Sequence, residues 1–256
     1  MSLIKIRNVS HAFESDDGPI KVLKNLDLSV ERDSLTAVVG PSGCGKSTLT
    51  RLISGLLKPD RGEIFLEGEK VVSPRSNVGM AFQNPVLLEW RTILDNIMLP
   101  LEIVAPKMPK KEKVGRAERL LSLVGLADFA GRRPSELSGG MRQRASLCRA
   151  IVHKPKVLIM DEPFGALDAF TREDLWQVLL DVKAEEPFTG LLITHDLRES
   201  IFLADQVAVL SGRPAMTQYL MDVEFSEKRN IELLFTAKST AMLKELRKQI
   251  RIAQAS

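Results

Sequence analysis

Short apolar runs alternate with stretches of helical periodicity along the chain. An unbroken apolar run at 35–39 ends at Gly40, and apolar residues recur at helical spacing from 49 to 56. A continuous apolar run closed by a turn predicts a strand buried on both faces, whereas spacings of three and four predict an amphipathic helix. Similar runs predict three more buried strands, at 157–160, 190–193 and 206–210. The pattern favours an α/β protein with a parallel sheet.

The two ends and the middle of the chain follow other patterns. Alternation predicts a half-buried strand at 26–30 and a late edge strand at 219–225, and the tail at 238–254 predicts a helix. Between them, Ile93, Ile97 and Leu101 predict a helix that Thr92 caps and that Pro100 should end or kink. Residues 114–124 predict a second helix. We therefore expect a helical lobe at about 85–144, inserted into an α/β core at about 1–84 and 145–256.

Composition narrows the class of protein. The 256 residues carry 36 Lys and Arg against 33 Asp and Glu, and a net charge of +3 gives no reason to expect nucleic acid as a partner. No apolar run approaches the roughly 18–20 residues that span a bilayer, and no secretory signal is expected. Two cysteines exclude a disulfide framework or a four-cysteine zinc site. We expect a cytosolic chain with reduced thiols.

A glycine-rich turn follows the strand at 35–39 and fits the pattern G-x-x-x-x-G-K-[ST]. Its glycines let successive N–H groups point inward as an anion nest, and the following helix adds its positive end. Lys46 would reach the β- and γ-phosphates of a nucleotide, and the Ser47 hydroxyl would ligate Mg²⁺. The predicted nucleotide-binding residues are Gly40, Pro41, Ser42, Gly43, Cys44, Gly45, Lys46, Ser47 and Thr48.

A carboxylate pair ends the apolar run at 157–160. Asp161 would hold Mg²⁺, and Glu162 would orient and deprotonate an attacking water. On its own the pair would be an ordinary strand-end turn before Pro163. Together with the phosphate loop it predicts a P-loop nucleotide-binding protein, and kinases, GTPases and helicases all share both features.

The octet at 137–144, Leu-Ser-Gly-Gly-Met-Arg-Gln-Arg, separates these families. Ser138 would cap a helix, and Gly139 and Gly140 would let a second anion approach the backbone closely. The octet resembles the signature motif of ATP-binding cassette (ABC) ATPases. The chain is identified by it as a member of that family, with a P-loop NTPase (RecA-like) core, N-terminal antiparallel β elements and an inserted helical lobe.

The resemblance covers nearly the whole chain, in the family's order of motifs. It implies that Phe13 stacks on adenine and that Gln83 touches Mg²⁺ and the attacking water. It also implies that Asp168 belongs to the D-loop and that His195 is the switch histidine. The implied catalytic residues are Glu162, His195 and Gln83, and the implied metal ligands are Ser47, Gln83 and Asp161.

The resemblance also implies the partners. ATP and Mg²⁺ would be held between two copies arranged head to tail, with the Ser138 site of one copy closing over the γ-phosphate held by the other. A separate membrane permease would hold this pair at the cytoplasmic face of the membrane, and a solute-binding protein would deliver the cargo. The octet alone leaves two other classes open: a non-transport ATPase such as one for Fe–S assembly, and an exporter cassette.

The segment at 82–92 is similar to the nitrate/sulfonate/taurine type of importer cassette, which implies uptake of a small solute of that kind. Glu89, Gln206 and Ala215 depart from that group's pattern, so relatives that handle pyrimidine or riboflavin precursors stay open. Leu87, Leu88 and Trp90 would either line the groove for the permease or pack inside the helical lobe. For Cys44, a position beside a helix N-terminus predicts a lowered thiol pKa and sensitivity to thiol reagents.

Overall fold

Residues 2–225 and 228–255 are described by the computed structural model. They fall into two units, Met1–Arg75 with Thr189–Ser256 and Ser76–Phe188. The strands of the described residues are β1 (Ser2–Phe13), β2 (Ile20–Glu31), β3 (Leu35–Val39), β4 (Arg61–Leu66), β5 (Glu69–Lys70), β6 (Val78–Phe82), β7 (Val157–Asp161), β8 (Thr189–Ile193), β9 (Gln206–Leu210) and β10 (Thr217–Asp222).

The described helices follow the same chain order. They are α1 (Lys46–Ile53), α2 (Ile93–Val104), α3 (Lys110–Leu123), α4 (Gly139–Ile151), α5 (Ala169–Glu185), α6 (Leu197–Leu203) and α7 (Ala237–Ala255). Short 3₁₀ turns occupy Ala127–Phe129, Pro134–Glu136 and Ile231–Phe235. Within the described residues, no helix combines the length and the apolar character that crossing a membrane requires.

The first unit contains two groups of strands. An antiparallel sheet has the order β2-β1-β4-β5, and a second group has the order β10-β9-β3-β8. In the second group β3 is parallel to both β8 and β9, while β10 is the antiparallel edge strand. All five residues of β3 and of β8 are buried, as the unbroken apolar runs predict, and α6 packs on β3 and β9.

The second unit is mainly helical around a parallel strand pair. Strands β6 and β7 pair in register from Val78 with Val157 to Phe82 with Asp161. Helix α4 packs on β6 and also contacts α2, α3 and α5. The predicted boundaries of the helical lobe, near 85 and 144, stay a prediction.

Two features of this unit differ from the sequence predictions. Pro100 lies inside α2, and the helix continues to Val104, so the prediction that the proline ends it is wrong, while the alternative of a kink stays a prediction. Buried Ile97 and Leu101 lie on either side of Pro100, so packing against α3 and α4 holds the backbone helical despite the lost N–H. Helix α5 lies outside the predicted elements, although Leu175, Leu179 and Val182 of its buried face recur at helical spacing.

The contact between β6 and α4 depends on a glycine. A Cβ atom added to Gly79 would lie 2.2 Å from the backbone oxygen of Ala150 and 2.9 Å from Cγ of Pro155. No heavy-atom contact is that short, so any side chain here would push the helix away from the strand. Gly115, on the exposed side of α3, is the opposite case, because an added Cβ would meet nothing within 4 Å.

We predict opposite effects on stability for alanine at these two glycines. Gly79→Ala should lower the free energy of unfolding by about 1–3 kcal/mol, because the strand and the helix must separate. Gly115→Ala should raise it by about 0.5–1 kcal/mol, because alanine loses less backbone entropy in a helix. Urea denaturation followed by circular dichroism measures both. Equal shifts in one direction would show that the close approach at Gly79 has no energetic weight.

Candidate functional site

The glycine-rich turn joins the buried strand β3 to α1, which begins at Lys46. Two of its glycines have left-handed backbones, with φ of 71° at Gly43 and 122° at Gly45. A Cβ atom on Gly45 would also lie 2.7 Å from Cγ1 of Val22, so glycine is required there on both counts. The turn therefore has the backbone curvature that a phosphate nest needs.

The Lys46 side chain lies within this turn. Lys46 is only 8% exposed to solvent. Its Nζ donates hydrogen bonds to the carbonyl oxygens of Gly40 at 3.0 Å and of Pro41 at 2.9 Å. Ser42, Gly43 and Ser47 are exposed. The turn thus has a cation on its inside and an accessible rim, which is the arrangement that an oxyanion requires.

Cys44 behaves differently from the prediction. Its thiol is buried, and burial raises its pKa against the opposing influence of the nearby Lys46 and Arg213 charges. The expectation of a lowered pKa beside the helix N-terminus is wrong, because removal of the thiolate from water outweighs the electrostatic field of the turn. The second cysteine, Cys148, is fully buried, and burial raises its pKa to about 12, in accord with a core position.

Phe13 and His195 are the other predicted site residues of the first unit. Phe13 ends β1, is 37% exposed and meets the ring of His11 edge-on at 4.9 Å between centroids. His195 is exposed and follows β8, which pairs with β3 up to Val38 and Ile193. Since β3 and β8 are parallel neighbours, His195 and the glycine-rich turn leave the sheet at the same edge.

In the second unit, Gln83 and the carboxylate pair also leave neighbouring strands at one edge. Gln83 follows Phe82 of β6, whose register partner is Asp161 of β7, and Glu162 follows at once. Glu162 has a φ of 50°, in the left-handed region that glutamate rarely adopts. Glu67 and Lys154 have a similar φ, so this backbone conformation does not by itself mark Glu162 as a functional residue.

The residues Ser138, Gly139 and Gly140 begin α4. Ser138 is the N-cap, and its hydroxyl oxygen accepts from the Met141 N–H at 3.3 Å. Ser138 and Gly139 are exposed, whereas Gly140 is buried. A Cβ atom on Gly140 would lie 2.5 Å from Cγ2 of Thr171, so this glycine permits the close packing of α4 on α5.

Two more side chains connect the predicted site residues within the second unit. Gln143 is buried, and its Nε2 donates to the Phe82 carbonyl oxygen at 3.0 Å, which joins α4 to the strand that precedes Gln83. This residue is absent from the predicted site, although it lies inside the octet. Asp168 caps α5 by accepting from the Thr171 N–H at 3.0 Å, and that hydrogen bond holds the pKa of its carboxyl below the usual range.

Each unit thus holds part of the predicted set. The first unit carries Phe13, the glycine-rich turn and His195, and the second carries the remaining residues. The second unit's members are Gln83, Ser138, Gly139, Gly140, Asp161, Glu162 and Asp168.

A phosphate-type turn between a buried parallel strand and a helix defines the class of P-loop nucleotide-binding proteins. Within that class, residues 23–165 match the family model described as ABC transporter. The match covers more than half of the chain, and the chain belongs to the ABC transporter family.

Relatives and solved structures agree with this family. The nitrate import ATP-binding protein NrtD of Synechococcus elongatus is 40% identical over 225 residues, covering 88% of this chain and 82% of its own. The aliphatic sulfonates import ATP-binding protein SsuB of Bacillus thuringiensis subsp. konkukian is 37% identical over 227 residues, covering 89% and 88%. A dimeric structure of an ATP-binding cassette in a post-hydrolysis state, bound to ADP and Pi, superposes with a TM-score of 0.76. It is 28% identical, covering 87% of this chain and 99% of that one.

These similarities confirm the family, the fold class and the subgroup that the sequence predicts. The α/β P-loop core and the ABC ATPase assignment are both borne out by the matching family and structure. The predicted likeness to nitrate and sulfonate importer cassettes is also confirmed.

Burial of Cys44 leads to a prediction about its reactivity. At pH 7.5 iodoacetamide should label Cys44 at least about tenfold more slowly than free cysteine, because a raised pKa and burial both reduce the reactive thiolate. The rate should increase as the pH approaches the raised pKa. Peptide mass spectrometry measures the rate, with urea-unfolded protein as the control. Labelling of the folded protein at the rate of free cysteine would contradict the burial argument.

Proposed function

We propose that the chain binds ATP at the glycine-rich turn and hydrolyses it to drive import of a small solute through a separate permease. The observation that carries this proposal is the turn itself. Gly43 and Gly45 have left-handed backbones between a buried strand and a helix, and the cation of Lys46 lies inside. This geometry suits a polyphosphate far better than it suits any neutral ligand.

Binding of ATP uses the first unit in this proposal. The turn from Gly40 to Thr48 cradles the phosphates, and Lys46 exchanges its carbonyl partners for phosphate oxygens. Phe13 stacks on adenine. Its one-third exposure and its edge contact with His11 support this role, because one face of a fixed ring stays available.

The donor set fits Mg²⁺. Ser47, Gln83 and Asp161 offer a hydroxyl, an amide and a carboxylate, the hard oxygen ligands that Mg²⁺ takes together with water and phosphate oxygens. Ser47 is exposed on the rim of the turn and Asp161 is half-buried at the end of β7. When bound, the ion neutralises charge on the β- and γ-phosphates.

Hydrolysis is assigned to Glu162, His195 and Gln83. Glu162 is the general base that takes a proton from the attacking water, and Gln83 and His195 orient that water and the γ-phosphate. The position of Glu162 directly after Asp161, at the end of β7, supports its part.

A second copy of the chain completes the site in this proposal. The exposed Ser138 and Gly139 of one copy bind the γ-phosphate held by the other, and Asp168 lies in the same head-to-tail interface. Exposure of both signature residues at a capped helix N-terminus supports this arrangement, since they are accessible to an anion held by another copy. The dimeric form of the similar cassette supports it as well.

The partners and the location follow from the importer relatives. The pair of cassettes would bind a permease at the cytoplasmic face of the membrane, and a solute-binding protein would supply a nitrate- or sulfonate-like anion. Names such as nitrate import and aliphatic sulfonates import, at 40% and 37% identity, favour this over an Fe–S assembly ATPase or an exporter cassette. The departures at Glu89, Gln206 and Ala215 leave the particular solute open.

The segment at 86–91 is the proposed surface for the permease. Leu87 is buried, but Trp90 is 73% exposed. The two side chains, which the sequence analysis assigns to one surface or one core, therefore have different environments. Asn96 fixes the segment, accepting from the Leu88 N–H at 2.7 Å and donating to the Leu88 carbonyl oxygen at 3.0 Å. Arg149 donates to the Val86 carbonyl oxygen. A large aromatic ring held outward by a fixed segment is typical of a protein-binding surface.

The proposed function predicts opposite behaviour for two variants. Glu162→Gln should keep ATP binding, lose about 10²–10⁴-fold in turnover, and accumulate an ATP-dependent dimer, because only proton transfer is removed. Lys46→Ala should lose ATP affinity and form no such dimer. Calorimetry and size-exclusion chromatography with ATP measure these effects. Unchanged hydrolysis in Glu162→Gln, or intact ATP binding in Lys46→Ala, would overturn the assigned roles.

Trp90→Ala should leave ATP hydrolysis by the isolated chain intact but weaken its coupling to the permease. Because its ring is exposed, its removal should leave the thermal stability and the basal ATPase rate of the isolated chain unchanged, while permease-stimulated ATPase activity falls. Phe235→Ala, which removes another exposed ring (69%), is the matched control. A lower melting temperature for Trp90→Ala would instead indicate packing within the unit, and normal stimulation would refute the proposed surface.

A further inference from the structure

An arginine outside the ABC motifs contacts the phosphate-type turn. Arg213 lies in the turn at 211–216, between β9 and β10, and its Nη2 and Nε donate to the Gly43 carbonyl oxygen at 2.6 and 3.1 Å. Both atoms of the guanidinium edge thus share one acceptor. Charge-assisted hydrogen bonds of this kind are stronger and more directional than neutral ones.

The acceptor is a carbonyl of the phosphate-type turn itself. Gly43 has the first left-handed backbone of the turn, and its carbonyl belongs to the same peptide plane as the Cys44 N–H. In a trans peptide these two groups point in opposite directions. The Cys44 N–H is directed to the Pro41 carbonyl oxygen, at 3.4 Å, so Arg213 holds the Gly43 carbonyl on the opposite side. Without that hold, only the long Cys44–Pro41 hydrogen bond opposes a rotation that would turn the Gly43 carbonyl oxygen toward the phosphates.

The segment that carries Arg213 is itself fixed. The Ser211 N–H donates to the Met216 carbonyl oxygen at 2.9 Å, and the Met216 N–H donates to the Ser211 hydroxyl at 3.0 Å. Ala215 exchanges backbone hydrogen bonds of 2.8 and 3.0 Å with Val22 and Lys24 of β2. The guanidinium therefore extends from an anchored backbone, although the side chain itself is exposed.

The same segment is also joined to the last helix. The Gly212 N–H donates to the Ala253 carbonyl oxygen of α7 at 2.8 Å, and a Cβ atom on Gly212 would lie 3.1 Å from that oxygen. Consecutive residues thus contact α7 and the phosphate-type turn. Gly212 and Arg213 thus bind two carbonyl oxygens, those of Ala253 in α7 and of Gly43 in the turn.

We propose that Arg213 is a positioning residue for ATP binding, which holds the Gly43–Cys44 peptide plane so that its carbonyl oxygen stays turned away from the phosphates. The proposal rests on the function assigned to the turn above. A preorganised turn has less conformational freedom to lose when the nucleotide binds, so Arg213 acts on affinity for any nucleotide with a β-phosphate. Its effect on the chemical step, which uses Glu162, is small.

Three variants of the full chain test this role. Arg213→Ala removes both hydrogen bonds, and Arg213→Lys retains a cation that can donate one of them. Arg247→Ala removes an exposed arginine of α7 and is the matched control. Calorimetry in EDTA gives the Kd for ATP and for ADP without turnover. Steady-state kinetics with Mg²⁺ gives KM and kcat, and thermal melting without nucleotide reports the fold.

Arg213→Ala should raise the Kd for ATP and ADP alike by about tenfold, because a less ordered turn must then be fixed when the nucleotide binds. KM should rise with it, while kcat at saturating ATP and the melting temperature stay unchanged. Arg213→Lys should recover part of the affinity, and Arg247→Ala should match the wild type.

Two results would overturn the proposal. An unchanged Kd in Arg213→Ala would show that the turn keeps its geometry without the arginine. A lower melting temperature of Arg213→Ala with an unchanged Kd would show that Arg213 stabilises the fold and does not affect nucleotide binding. Absence of ATP binding in the wild type and in Arg247→Ala would be distinguishable from both, because it would overturn the proposed function itself.

Discussion

The backbone of one short turn is the constraint on which the proposed nucleotide site of the first unit depends. Between β3 and α1 the chain must curl tightly enough to gather N–H groups, and Gly43 and Gly45 do so with positive φ. Such a turn leaves carbonyl groups without ladder partners. The structure satisfies three of them with cations, since Lys46 donates to the Gly40 and Pro41 oxygens and Arg213 donates to the Gly43 oxygen. The curvature of the turn is therefore stabilised by two cations, Lys46 within the turn and Arg213 from a neighbouring segment.

Much of this could be predicted from the sequence where the cause is local. An unbroken apolar run is sufficient to predict β3 and β8, and the spacing from Gly40 to Ser47 is sufficient to predict the turn. Helix caps are equally local, which is why Thr92 at α2 agrees with its prediction. The three-residue geometry of a cap does not depend on distant parts of the chain.

The sequence predictions were wrong or incomplete where the structure is determined by residues far away in the chain. Pro100 is retained inside α2 because of packing against other helices, and the thiol of Cys44 is controlled by burial that the neighbouring residues do not reveal. Arg213 is 170 residues away in the chain from the carbonyl that it holds. No spacing rule connects those positions, and only the fold of β9 and β10 beside β3 brings them together.

Several residues of the second unit that lie in family motifs also have a structural role. Gly140 belongs to the signature, yet its lack of a Cβ is what lets α4 approach Thr171. Asp168 is the predicted D-loop residue, and its carboxylate caps α5. Loss of activity after substitution at either position therefore has two physical origins, a missing contact to the nucleotide or a displaced helix. Gln143 joins α4 to the strand before Gln83, so a displacement of α4 would also act on the backbone next to Gln83. For this unit, a change in unfolding free energy separates the two origins where a rate alone does not.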